Sequence, residues 1–167
     1  MANTLTKIAS ISTYGVGFYE FTSIPADYTD LMIMASLRTN IADVHEGIEL
    51  HFNGTTSNRS DRRIYAYVST AYTDTGSVMY AGRASAAQNT ANCFGSLIVY
   101  VTNYATTKVK MSHGWGGSQS NSNQKLMDMS VNAWNSGAAI TSIKLVPDSG
   151  GIIQQYSTAD LYGIKSS

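Results

Sequence analysis

The stretch Lys108-Val109-Lys110-Met111-Ser112-His113-Gly114-Trp115 decides the fold class. Val109, Met111, His113 and Trp115 fall on one side of it, and Lys108, Lys110 and Ser112 on the other. A period of two marks a half-buried β-strand, because successive side chains point to opposite faces. Downstream, Leu126 to Trp134 repeats the pattern with Met127, Met129, Val131 and Ala133. Upstream, Gly47 to Asn53 repeats it with Ile48, Leu50 and Phe52. The apolar side of each strand is expected to face a core and the polar side water.

Further strands are expected at 7–13, 17–22, 31–38, 63–69, 77–83, 96–102, 139–146 and 158–164. Leu97-Ile98-Val99-Tyr100-Val101 is apolar on both faces, which suits a strand that is central or meets another subunit. Turn formers separate the runs: Asn53-Gly54, Asp74-Thr75-Gly76, Asn135-Ser136-Gly137 and Asp148-Ser149-Gly150-Gly151. About ten short strands at this spacing predict an all-β, antiparallel β-sandwich of jelly-roll type. Helical periodicity is absent. Ser23 to Tyr28 has the residues of one helical turn, with Ser23 as cap and Pro25 near the first helical position. Ala84 to Asn92 reads as a loop or short helix. Gly114 to Gln124, rich in Gly, Ser, Asn and Gln, reads as an exposed hairpin loop.

The 167 residues suit one domain, 1–167, with 1–6 as a candidate N-terminal arm. Eleven basic residues balance eleven acidic ones. That argues against nucleic acid or an anionic membrane as partner, since both need a basic excess. Only 13% of residues are charged, while 21 are Ser and 17 Thr. A neutral, hydroxyl-rich surface favours association over repulsion and points to an assembly component. One cysteine, Cys93, excludes an intrachain disulfide and a CxxC-type zinc site. No signal peptide and no 18-residue apolar run is visible, so export and membrane spanning are not expected.

Chemistry is sparse. The three histidines are His45, His51 and His113. His51 shares a polar strand face with Glu49, which reads as a solvated pair rather than a metal or acid–base site. His113, among Val109, Met111 and Trp115, reads as a core or interface histidine. Asp148-Ser149-Gly150-Gly151 lacks the spaced carboxylates of a calcium loop. Neither Gly-x-Ser-x-Gly nor His-Glu-x-x-His occurs. No catalytic residue, metal or cofactor is expected. Met32, Met34, Met127 and Met129 form two alternating pairs and read as core. The 11 tyrosines include Tyr65 and Tyr67 on one strand face, and Tyr14, Tyr72, Tyr80 and Tyr104 near strand ends. Tyrosine fills sheets, and it also favours interfaces and sugar sites. The candidate interface or glycan contacts are Tyr65, Tyr67, Tyr72, Val99 and Trp115.

Phe21-Thr-Ser-Ile-Pro-Ala-Asp-Tyr-Thr-Asp-Leu31, Leu50-His-Phe-Asn-Gly54, Val101-Thr-Asn-Tyr104 and Tyr156-Ser-Thr-Ala-Asp-Leu-Tyr-Gly-Ile164 follow one another along nearly the whole chain. In this order and spacing the chain resembles a family of small β-sandwich virion structural proteins of tailed bacteriophages, frequent in marine and cyanobacterial phages. The family's pattern is an opening F-x-S-I-P-x-x-Y-x-x-L, a central F-N-G and a closing S-T-x-x-L-Y-G-I. The resemblance implies a virion component without enzymatic activity: a head decoration or cement protein, a head fibre, or a tail or baseplate appendage. It carries over no catalytic residue.

The reading that follows is a capsid decoration protein on the virion exterior, made in the host cytoplasm. Its partners are other copies of itself, as a homotrimer, and the major capsid protein or another virion protein. The alternative is a receptor- or glycan-binding tail, head-fibre or baseplate protein whose Tyr72 and Trp115 stack on a host surface glycan. A carbohydrate-binding module unrelated to phages is a third possibility. In all three, Leu161, Tyr162 and Ile164 belong to a last strand that closes a sheet, and Gly163 allows a close approach.

Overall fold

A computed structural model describes residues 4–119 and 125–165. Twelve strands are present: β1 (Thr4–Ile11), β2 (Tyr19–Phe21), β3 (Asp30–Leu37), β4 (His45–Phe52), β5 (Arg59–Tyr67), β6 (Thr70–Gly76), β7 (Tyr80–Ser85), β8 (Gly95–Thr102), β9 (Lys110–Gln119), β10 (Lys125–Trp134), β11 (Ile143–Pro147) and β12 (Thr158–Lys165). They form two antiparallel sheets, ordered β1-β12-β3-β8-β9-β10-β5-β6 and β2-β11-β4-β7. The β-sandwich is as the alternation predicts, with its strands divided unevenly, eight against four. Among the described residues there is no helix, so none is long and apolar enough to cross a membrane.

The core lies between the small sheet and the middle of the large one. Leu31, Ile33 and Leu37 of β3 and Leu97, Val99 and Val101 of β8 meet Ile48, Leu50 and Phe52 of β4 and Ile143 and Leu145 of β11. Val99 is fully buried here, so it offers no contact surface; the other face of its strand, with Ile98 and Tyr100, is the one that reaches the surface. Gly163 admits the Tyr28 ring, which a Cβ would strike at 2.3 Å. That is the close approach expected there.

Several expectations are corrected. Ser23 to Tyr28 makes bends, with Ser23 at φ 54° and Ile24 buried, because this segment crosses from one sheet to the other. Thr4–Thr6 is no free arm. It pairs with Gly163–Lys165 of β12 in the same chain, while residues 1–3 lie outside the described residues. Asp74-Thr75-Gly76 is strand, not turn, because it completes the β5–β6 ladder opposite Asp61–Arg63. The hairpin loop is Val68-Ser69 instead. The second half of β9, Gly114–Gln119, is strand where a loop was expected; 120–124 lie outside the described residues.

The largest correction concerns β9 and β10, which sit inside out relative to the expected faces. Lys110, Ser112, Asp128, Ser130 and Asn132 point inward and are buried, while Met111, Trp115, Met127, Met129 and Val131 are exposed. The reason is β7, the free edge of the small sheet, which lies across β8, β9 and β10. A Cβ at Gly114 would fall 2.7 Å from the Tyr80 carbonyl oxygen, and one at Gly116 3.0 Å from the Arg83 nitrogen. Only a row of glycine and small polar residues lets the backbones approach this closely. Asn132 then does what a further strand would do. The Tyr80 N–H donates to Asn132 Oδ1 at 3.0 Å, and Asn132 Nδ2 donates to the Tyr80 carbonyl at 3.0 Å. Ser130 Oγ donates to the same carbonyl at 2.7 Å. Buried edge groups are thereby paired, as buried backbone groups must be. Asn132→Ala is expected to cost about 2 kcal/mol, since the part-buried Tyr80 N–H loses the Asn132 acceptor; urea unfolding measures it.

Polar side chains also hold the loops. The buried Lys110 ammonium donates to the carbonyls of Thr106 and Lys108 at 2.6 and 2.5 Å, and burial lowers its pKa. Arg38 donates to the carbonyls of Thr90 and Cys93 at 2.9 and 2.8 Å and pins the loop after β7. At the other edge, Lys7 pairs with Asp160 at 3.1 Å and Ser10 Oγ donates to the same carboxylate. The Ser10 bond and Lys7, against partial burial, hold the Asp160 carboxyl below its usual value. Its contribution to docking β1 is therefore full above the ordinary carboxylate pKa and fades as pH falls through the folded value. On acidification below about pH 4, β1 amides are expected to exchange sooner than those of β3 and β8; hydrogen exchange followed by NMR would show equal rates if the pair is immaterial.

Candidate functional site

Two surface features stand out, on opposite faces of the large sheet. The first is its outer face. The strand registers set side chains in rows across the sheet. One row reads Asp160, Met34, Ile98, Trp115, Met129, Ile64, Thr73. The next reads Tyr162, Met32, Tyr100, His113, Val131, Arg62, Thr75. In the first, Met34 is 43% exposed, Trp115 40%, Met129 46% and Ile64 59%. Charges occur only towards the margins: Asp160, paired with Lys7, on one side and Arg62 on the other. Taking ~150–250 Å² for a free side chain of this size, Met34, Ile64, Met111, Trp115, Met127, Met129 and Val131 together leave roughly 650 Å² exposed. A contiguous apolar patch of that size on a monomer marks an interaction site.

The face also has relief. A hollow of about 710 Å³ opens between Ile64, Thr73, His113, Trp115, Met129 and Val131, with Arg62, Arg63, Asp74 and Ser130 completing its lining. His113 stacks on Trp115, with ring centroids 6.0 Å apart and an interplanar angle of 11°. His113 thus lies on the outer face and not in the core. The Tyr100 hydroxyl donates to Asp30 at 2.6 Å, which together with burial raises its pKa to about 12. Methionine is unbranched and polarisable and adapts to partner surfaces. Met32, Met34, Met127 and Met129 lie on this outer face and not in the core.

The second feature is a cleft on the inner face. β5 and β6 extend past β7, so the large sheet overhangs the small one. Tyr65 and Tyr67 project from β5 beneath the overhang, and Tyr72 stands opposite Tyr65 on β6. The Tyr65 and Tyr72 rings stack at 5.2 Å and 17°. With Asp43, His45, Arg83 and Leu126 the three tyrosines line a cleft of about 370 Å³. Tyr72 and Trp115 lie on opposite faces of the sheet, so they cannot grip one sugar together.

A buried charge cluster supports the cleft from behind. Asp128 is fully buried, with Oδ2 3.2 Å from Arg83 Nε and 4.0 Å from Arg63 Nη1. Arg63 also reaches Asp74 at 3.2 Å and lies 4.0 Å over the Tyr80 ring. Burial pushes the Asp128 carboxyl up, against the pull of the two arginines. Burial likewise lowers the pKa of His45, with Arg83 adding to the effect.

Elsewhere the polar groups bond locally. Glu49 accepts from His51 at 2.7 Å and meets Arg59 at 3.5 Å. The Asp148–Gly151 turn folds onto Glu46, whose Oε1 accepts the N–H groups of Ser149 and Gly151. Among the described residues no group of three His, Cys, Asp or Glu converges as a metal site.

The chain matches no protein-family model, no curated protein and no solved structure.

Proposed function

We propose that this chain is a non-enzymatic structural protein of a tailed-bacteriophage virion, a decoration protein whose copies associate through the outer face of the large sheet and whose assembled unit braces the capsid by multivalent contacts. The observation that carries the docking part is the uncharged apolar face running from Met34 to Ile64. Its exposed area approaches the roughly 800 Å² that each partner buries in a standard interface. Its centre has the makeup of an interface core, rich in Met and aromatic residues and free of Lys, Arg, Asp and Glu. The hollow beside Trp115, apolar at Trp115, Met129, Val131 and Ile64 and charged at Arg62, Arg63 and Asp74, suits an amphipathic side chain of a partner, the arrangement that concentrates binding energy at few positions. The virion part rests on the resemblance of the Phe21–Leu31, Leu50–Gly54 and Tyr156–Ile164 motifs to phage virion proteins.

In this reading the partner on the face is another copy of the chain, in a homotrimer, and the assembled unit meets the major capsid protein. Zero net charge removes the repulsion that would oppose packing copies together. Each contact is modest, and symmetric repetition over a shell multiplies it. Co-sedimentation with isolated capsids tests the proposal. The protein is expected to pellet with heads in fixed stoichiometry. Protein that stays in the supernatant at every concentration would contradict the decoration role.

A further inference from the structure

We infer that the cleft beneath the β5–β6 overhang binds a pyranose unit of a neutral polysaccharide, separately from the docking face. Three observations carry this. The first is a prepared stacking surface. Tyr65 is braced by the guanidinium groups of Arg63 and Arg83, each 5.2 Å from its ring centre, and Tyr72 stacks on it. Tyr72 stands on a strand exposed along its whole length and is itself 43% exposed. Its ring is rigid, amphipathic and open to solvent, as a platform for the C–H face of a sugar must be.

The second is unspent hydrogen-bonding capacity pointing at one place. Among the described residues, no hydroxyl of Tyr65, Tyr67 or Tyr72 bonds to another residue, whereas Tyr19, Tyr100 and Tyr104 each donate to an oxygen of the protein. Tyrosines placed only to fill the end of a sandwich would be expected to do the same. Arg83 spends only Nε, on Asp128, leaving both terminal nitrogens as donors. Asp43 uses Oδ1 on the Val44 N–H, and its second oxygen remains an acceptor. His45, whose pKa burial lowers, offers one donor and one acceptor in its neutral form. Donors and acceptors alternating around an aromatic plane match vicinal ring hydroxyls.

The third is charge. Arg83 on the cleft wall is paired with Asp128 and Arg63 behind it with Asp74, and Asp43 adds a carboxylate to the wall, so among the described residues no unpaired positive charge faces the cleft. A neutral ligand is therefore favoured over a phosphate or a uronate. A cleft of about 370 Å³ fits one ring of a longer chain, since it is open rather than enclosed, and small-ligand sites begin at about 300 Å³.

Saturation-transfer NMR tests this with oligosaccharides of dextran, galactan and mannan on one side and of alginate on the other. At least one neutral oligosaccharide is expected to receive saturation. Tyr72→Ala is expected to weaken its binding about tenfold or more, and Trp115→Ala to leave it unchanged. Because Tyr72 lies on an exposed edge strand and loses only its stacking on Tyr65, Tyr72→Ala should remain folded, with a urea midpoint only slightly below that of the wild type. Arg83→Lys, which keeps the charge beside Asp128 but removes the planar fork, is a second variant expected to weaken binding. Silence from every neutral oligosaccharide, transfer to alginate alone, or undiminished binding by both Tyr72→Ala and Arg83→Lys would overturn the inference. None of these outcomes bears on the docking face.

Discussion

Asp128→Ala is expected to destabilise the protein by about 3 kcal/mol, the cost of leaving buried charge without its partner. Among the described residues Asp128 is the only carboxylate paired with Arg83 Nε, and its side chain is wholly buried. Arg63 keeps Asp74 as a partner, but Asp74 is largely exposed and shields little. The loss should therefore fall mainly on Arg83, and through it on the cleft wall and the seat of β7. Urea unfolding would read it as a lower midpoint at unchanged slope. Replacing the ion pair as a unit, Arg83→Met with Asp128→Leu, should cost much less than Asp128→Ala alone, because no orphan charge remains. A single variant within about 0.5 kcal/mol of the wild type would mean that the cluster is not a closed unit.

Met129→Lys on the outer face is expected to weaken self-association about 100-fold while leaving the fold intact. Met129 lies in the middle of the apolar row, between Trp115 and Ile64. In the free chain its side chain is half exposed, so a lysine there costs little. In an assembly the ammonium would be desolvated without a partner, a loss of about 3 kcal/mol or more. The same substitution checks the orientation of β10. Were Met129 turned toward the core, as strand alternation alone suggests, lysine would unfold the domain.

The fold was largely legible because most strands keep a period of two with one buried face. β3, β4, β8, β11 and β12 show it plainly, and each contributes alternate buried residues to the core. β6 was not legible. Thr70 to Gly76 buries neither face, so no pattern is imposed on it, and its strand form comes wholly from pairing with β5. Which face of β9 and β10 points inward was hidden for a different reason. Alternation separates two faces but does not say which one meets the core. The signal was the small polar row Ser112, Gly114, Gly116, Ser130, Asn132, which is too narrow for a solvated face and suits the bed of a crossing strand. Tyr65 and Tyr67 could be paired from their spacing. Tyr72 joins them only through the hairpin register, and Asp43, His45 and Arg83 come from three separate segments with no local mark.

Light-scattering mass of the purified wild type beside Met129→Lys tests the central claim, that the outer face is a docking surface between copies, most directly. The account predicts a wild-type mass of about three times 18.0 kDa and a folded variant at 18.0 kDa. A wild type that runs as a monomer at every concentration, or a variant that keeps the wild-type mass, would contradict it.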